Sequence, residues 1–207
     1  MTRILDAQDV DDLAVGAWVL GTGGGGSPYL NHLNMQRIAA EGMQFELIDP
    51  QELDDKAKVA VVSTMGAPLV MQERLQDPRD VARAVEVMAE HTGSTFDAVM
   101  ATEIGGSNAF QPLMASAHLG IPIVDADAMG RAYPEAQMTS FAIGGLQPWP
   151  LALVDPRGVE AIVTHVPTWK WMERASRALT IETGSMAATC KAPRSGVEVK
   201  RWGVANS

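Results

Sequence analysis

Cysteine is nearly missing from this 207-residue chain: Cys190 stands alone. No internal disulfide can form, and no cysteine cluster can hold a metal within one chain. A reducing compartment fits that usage, and the expected location is the cytoplasm. Cys190 follows the apolar run Met186-Ala187-Ala188-Thr189, so it reads as a packed side chain rather than a nucleophile. Basic residues are also scarce. Lys and Arg number 16 against 25 Asp and Glu, a formal net charge of −9. That argues against nonspecific nucleic-acid binding, which depends on clustered positive charge. Apolar runs are short, so no membrane span is expected. The opening stretch is interrupted by Asp9, Asp11 and Asp12, which argues against a signal peptide. The histidines are few. His32, His91, His118 and His165 show no metal-ligand spacing with one another.

What is present is ordinary globular material, 46% hydrophobic and 20% charged, enough to build a sizeable core. Asp6 is placed to cap a first helix, with Asp9 three residues on and Leu5 and Val10 positioned as a hydrophobic staple. Val10, Leu13, Ala14 and Ala17 mark its inner face. Ala17 to Leu20 runs into Gly21-Thr22-Gly23-Gly24-Gly25-Gly26. Ser27-Pro28 opens a second helix that should close at Gly42. Residues 44–48 alternate as a strand does, and Val59 to Ser63 is a continuous run suited to a buried parallel strand. Asp77-Pro78 opens a helix closed by Gly93. Residues 97–101 form the next strand, Gly105-Gly106-Ser107 leads into a helix closed by Gly120, and residues 121–125 form another strand. Residues 151–163, with Asp155-Pro156-Arg157-Gly158 at the turn, read as a hairpin. Thr168 caps a further helix.

Strands alternating with helices predict an α/β fold, a mostly parallel sheet covered by helices. We expect an N-terminal α/β domain over 1–166, with 167–207 as the start of a second, incomplete domain.

Three segments carry candidate chemistry. The glycine run ends at a helix N-terminus, where free N–H groups favour an anion or a polarised carbonyl. Gly21, Gly23 and Gly26 also satisfy G-x-G-x-x-G, with Asp49 at the end of the next strand, a pattern associated with dinucleotide binding. A helix rather than a strand precedes it, and no Lys follows for a phosphate loop, so no nucleotide cofactor is expected. The second segment is Thr102-Glu103-Ile104-Gly105-Gly106-Ser107-Asn108, at the C-terminal end of a buried strand, where open α/β sheets bind ligands. Glu103 suits a general base or a metal ligand, and Asn108 can orient a carbonyl. The third runs from Asp125 to Glu135 and places Asp125, Asp127, Arg131 and Tyr133 within a few residues. Salt-bridged loop structure is the alternative for it, and simple helix capping the alternative for Ser107.

Taken in order, Leu20 to Tyr29, Glu103 to Asn108, and Asp125 to Glu135 followed by Gln137-Met138-Thr139-Ser140 resemble the S-methyl thiohydantoin desulfurase family, also described as hydantoinase- or oxoprolinase-like. The resemblance spans essentially the whole chain. It departs at Ala128, where glycine is expected. It implies hydrolysis at a five-membered hydantoin-type ring, including loss of sulfur from a thiohydantoin carbon, and a C-terminal domain beyond this segment. Motif match and chemical suitability together assign catalysis to Glu103, Asp127 and Asp125. Substrate binding falls to Gly23, Gly24, Gly25, Gly26, Ser107, Asn108, Arg131 and Glu135. A divalent cation on Asp125, Asp127 and Glu103 stays open. The partner expected is a small cyclic amide or thioamide, with no nucleic acid and no membrane; a homo-oligomer stays open. Two other classes compete: a ligand-binding module without turnover, and a nicotinamide-dependent oxidoreductase resting on the glycine pattern.

Overall fold

The computed structural model describes residues 2–74 and 76–207. The chain opens with β1 (Arg3–Leu5) and α1 (Ala7–Gly21), whose N-cap Asp6 and N3 residue Asp9 form the anticipated capping box. Helix α2 (Tyr29–Ala40) leads to β2 (Phe45–Ile48) and the long β3 (Lys58–Gly66). A short α3 (Pro68–Glu73) precedes α4 (Pro78–Thr92), capped by Asp77 and closed by Gly93 in the left-handed conformation. Then come β4 (Ala98–Ala101), a 3-10 turn over Gly106–Phe110, α5 (Gln111–Leu119), β5 (Ile123–Val124) and β6 (Ala126–Asp127). The rest comprises α6 (Ser140–Ile143), the hairpin β7 (Leu151–Val154) and β8 (Glu160–Val163), α7 (Trp169–Glu182), β9 (Met186–Ser195), α8 (Gly196–Trp202) and β10 (Val204–Ala205).

The fold is α/β. Eight strands form one sheet in the order β1-β2-β5-β4-β3-β9-β7-β8. The stretch β2-β5-β4-β3 is parallel. The other pairs are antiparallel, so the sheet is mixed. The antiparallel half exists because residues 186–195, of which the sequence shows an apolar run only over 186–189, enter the sheet beside β3. No break in the sheet falls at residue 166: β9 lies between β3 and β7, with Cys190 opposite both Val62 and Ala152.

Both faces of the sheet are covered, which is why its central strands read as unbroken apolar runs. Along β3, Ala60 and Val62 join a core made with α1, α2, α4 and α5. Val59 and Val61 point to the opposite face, with Phe141 and Val199. A third cluster packs α7 on the hairpin through Met172, Leu151, Leu153 and Ala187. Phe45 and Phe110 are fully buried, each contributing on the order of 1.5–3 kcal/mol relative to exposure. Cys190 sits in the first core, and burial pushes its thiol up to about 12, so packing is its role. Among the described residues no helix is long and apolar enough to cross a membrane.

Candidate active-site cleft

Three loops meet above the C-terminal ends of β3 and β4, and glycine lets them meet. A Cβ on Gly105 would lie 2.3 Å from the Ala132 nitrogen and 2.5 Å from the Leu20 carbonyl oxygen. One on Gly106 would lie 2.6 Å from the Gly25 carbonyl carbon, and its φ is +68°. Backbone bonds fasten the contact: Ser107 N–H donates to Gly25 O at 2.9 Å and Ala132 N–H to Leu20 O at 3.0 Å. The glycines thus serve close backbone approach between loops. The glycine run follows helix α1, whose C-cap is Thr22, and so lacks the preceding strand of a dinucleotide site.

Between these loops, β3, β9 and α7 lies a cleft of about 430 Å³. Glu103 forms part of its wall. Asn108 Nδ2 donates to Glu103 Oε1, and Tyr133 N–H donates to Oε2 at 2.8 Å. Each carboxylate oxygen keeps a further lone pair. Burial raises the Glu103 carboxyl above its ordinary value, and the Asn108 and Tyr133 bonds hold it back. Asn108 is itself fixed by the Thr64 N–H, which donates to its Oδ1 at 2.7 Å. Lys191 enters from β9 and donates to the Tyr133 hydroxyl at 2.6 Å. Burial lowers its ammonium to about 8, against the pull of Glu103 and Glu173. Burial, with Glu103 and Glu173 nearby, also raises the Tyr133 phenol well above its usual range. Arg131 and Arg177 complete the rim. Arg177 pairs with Glu173, whose Oε2 accepts the Ala136 N–H at 3.1 Å.

The residues singled out in the sequence divide between this cleft and other places. Glu103, Gly23, Gly24, Gly25, Gly26, Asn108 and Arg131 all line it. Ser107 is buried beneath the glycine loop, where it receives the Asn31 amide on its carbonyl and hydroxyl oxygens. Asp127 does not line the cleft. It is fully buried, and its carboxylate accepts N–H bonds from Ile104 at 2.8 Å, Met129 at 3.1 Å and Gly130 at 2.7 Å. Asp125 belongs to a separate hollow of about 280 Å³ with Leu5, Leu13 and Leu47. Glu135 is exposed and receives the Gln137 amide. The turn at Ala128 takes its left-handed residue from Gly130 at φ +75°, and Ala128 is completely buried. Among the described residues no three His, Cys, Asp or Glu side chains converge as a metal site requires. His32 bonds Asp11 at 2.6 Å, a structural contact.

Sequence reasoning missed Lys191, Glu173 and Arg177, and named Tyr133 only as a motif member. The available signal was the placement of Lys191 directly after an apolar run, where a charged side chain facing a core needs a reason.

A family described as S-Me-THD-like, N-terminal domain, matches residues 8–165. No curated protein matches the chain. The crystal structure of a protein from Chromobacterium violaceum is similar at a TM-score of 0.85 and 24% identity, over 99% of this chain and 58% of that one. That likeness concerns the fold. This chain therefore spans little more than half the length of the protein it resembles.

Proposed function

This chain belongs to the S-Me-THD-like, N-terminal domain family, and on that premise we propose that its cleft hydrolyses the carbon–sulfur bond of a thiohydantoin-type ring. The reacting centre is the sp² ring carbon that carries sulfur and is doubly bonded to a ring nitrogen. Glu103 takes a proton from water as the water oxygen adds to that carbon. The π pair moves to the ring nitrogen, which accepts the proton from Glu103. Collapse of the tetrahedral adduct expels sulfur and leaves a ring carbonyl.

The observation that carries this reading is the setting of Glu103. Asn108 and the Tyr133 N–H fix its direction, and burial raises its carboxyl toward neutrality. A base poised nearer the working pH is the effective one, with contributions typically of about 10²–10⁴-fold. Gly24 N–H is spent on Gly21 O at 2.6 Å, whereas Gly25 and Gly26 N–H have no protein acceptor among the described residues. They are suited to the charge that develops in the adduct. Arg131 on the rim suits a substrate carboxylate. Asp127, with its carboxylate committed to three backbone N–H donors, is assigned to positioning the loops rather than to the chemistry.

A run in ¹⁸O-labelled water separates this from ring opening. The reading predicts one label at the ring carbonyl of a desulfurised product. A ring-opened product that retains sulfur replaces desulfurisation with amide hydrolysis. A binding module without turnover is the second reading. It predicts thermal stabilisation by thiohydantoins with no product.

A further inference from the structure

The steps above leave the sulfur without a proton, and they leave two cleft residues without a task. Lys191 sits on β9, a central strand of the sheet. A lysine in such a place is normally ion-paired. Among the described residues no carboxylate forms a salt bridge with Lys191. Its Nζ instead meets a neutral phenol, the Tyr133 hydroxyl, at 2.6 Å, and lies 5.4 Å from the centre of the same ring. Both residues line the cleft. Tyr133 is also tied to Glu103, since its N–H donates to Oε2 at 2.8 Å. The base and the phenol are therefore held by one short piece of backbone on one cavity. Facing Lys191 are Glu103 from the loop after β4, Tyr133 from the loop after β6, and Glu173 and Arg177 from α7.

We propose that Lys191 and Tyr133 form the acid that discharges the leaving sulfur: the Tyr133 hydroxyl protonates sulfur, and the Lys191 ammonium refills the hydroxyl. The inference rests on the hydrolytic reading of the cleft and adds the group that completes it. In the tetrahedral adduct the carbon carries OH, sulfur and the newly protonated nitrogen. The O–H proton passes to Glu103, and the O–H electron pair forms the carbonyl. The C–S bond breaks with its pair on sulfur, and sulfur takes the Tyr133 proton. Lys191 gives a proton to the Tyr133 oxygen and becomes neutral. The proton held by Glu103 then returns to Lys191 through cleft water, restoring both groups. One water is consumed, with one hydrogen ending on nitrogen and one on sulfur. Because Lys191, 2.6 Å away, replaces the proton as it leaves, the phenol relays it without becoming the phenolate that its buried site disfavours. A poor thiolate leaving group needs that proton most.

The test compares an S-methyl thiohydantoin with an S-(4-nitrophenyl) one, whose thiolate leaves without help. Tyr133→Phe and Lys191→Met are each expected to lose on the order of 10²-fold with the methyl compound, but under about 10-fold with the nitrophenyl compound. Wild-type protein supplies a readout that needs no variant. Its kcat/KM for the methyl compound should fall above about pH 8 as Lys191 loses its proton, while the nitrophenyl profile stays flat there. Equal losses on both substrates, or the same alkaline limb on both, mean a structural role and overturn the proposal. A wild-type protein that releases thiol from neither compound defeats the hydrolytic reading itself, and the two failures are told apart by whether wild-type turnover exists.

Discussion

Asn108 joins Glu103 to strand β3: its Nδ2 donates to Glu103 Oε1 while its Oδ1 accepts the Thr64 N–H at 2.7 Å. One side chain thus aims the candidate base and satisfies a buried backbone donor at the end of the strand. Asn108→Ala removes both bonds. We expect a stability loss of about 1–3 kcal/mol from the orphaned Thr64 N–H, with turnover reduced by at least about 10-fold as Glu103 loses its orientation. Urea unfolding and initial rates check the pair of effects. Full activity in a destabilised variant would remove Asn108 from the aiming role.

The glycine contacts make a second, graded prediction. A Cβ on Gly105 meets the Ala132 nitrogen at 2.3 Å and the Leu20 oxygen at 2.5 Å, whereas one on Gly23 meets nothing within 4 Å. Gly105→Ala forces two loops apart and should cost about 3 kcal/mol or more. Gly23→Ala carries only the strain of φ +82°, about 1 kcal/mol. Equal unfolding midpoints for the two variants would contradict the packing described.

Much of this was legible in the sequence because its signals are local. The Asp6 and Asp9 box, the Asp77-Pro78 opening of α4 and the Gly93 and Gly120 stops each require only neighbouring residues. The glycine and Glu103 motifs announced that loops would be special. What was not legible depends on distant pairing. Strand β9 contains Lys191, Pro193 and Arg194, which break the apolar pattern, and its partner β3 lies far away in sequence. Lys191 was therefore missed with the strand that carries it. Asp127 poses the opposite difficulty: a carboxylate near an arginine looks catalytic in sequence, and only the fold reveals that it accepts backbone N–H groups.

Asp127 is the third test. Asp127→Ala strands the N–H groups of Ile104, Met129 and Gly130 in a buried setting, a cost of about 3 kcal/mol or more. Asp127→Asn keeps one acceptor oxygen and should cost less. Denaturant unfolding of both variants ranks them. A stable Asp127→Ala protein without turnover would return this residue to the chemistry.

Stability should also depend on pH through Glu103. Its carboxyl is raised above the ordinary 4.5, chiefly by burial. Between the ordinary and the raised value the folded state binds more protons than the unfolded one, so stability falls as pH rises through that window. Unfolding midpoints compared near pH 5 and about pH 7.5 should therefore show wild type losing more stability on the alkaline side than Glu103→Gln does. Parallel curves for the two proteins would mean that Glu103 titrates as it does in the unfolded chain.

The central claim is that Glu103 activates water against a carbon–sulfur bond, and thiol release measures it most directly. Purified chain is mixed with an S-methyl thiohydantoin, and methanethiol is followed by a thiol reagent beside a folded Glu103→Gln control. The account predicts steady release by wild type and a rate lower by about 10²–10⁴-fold in the control. Equal release by both proteins, or none by wild type, would contradict it.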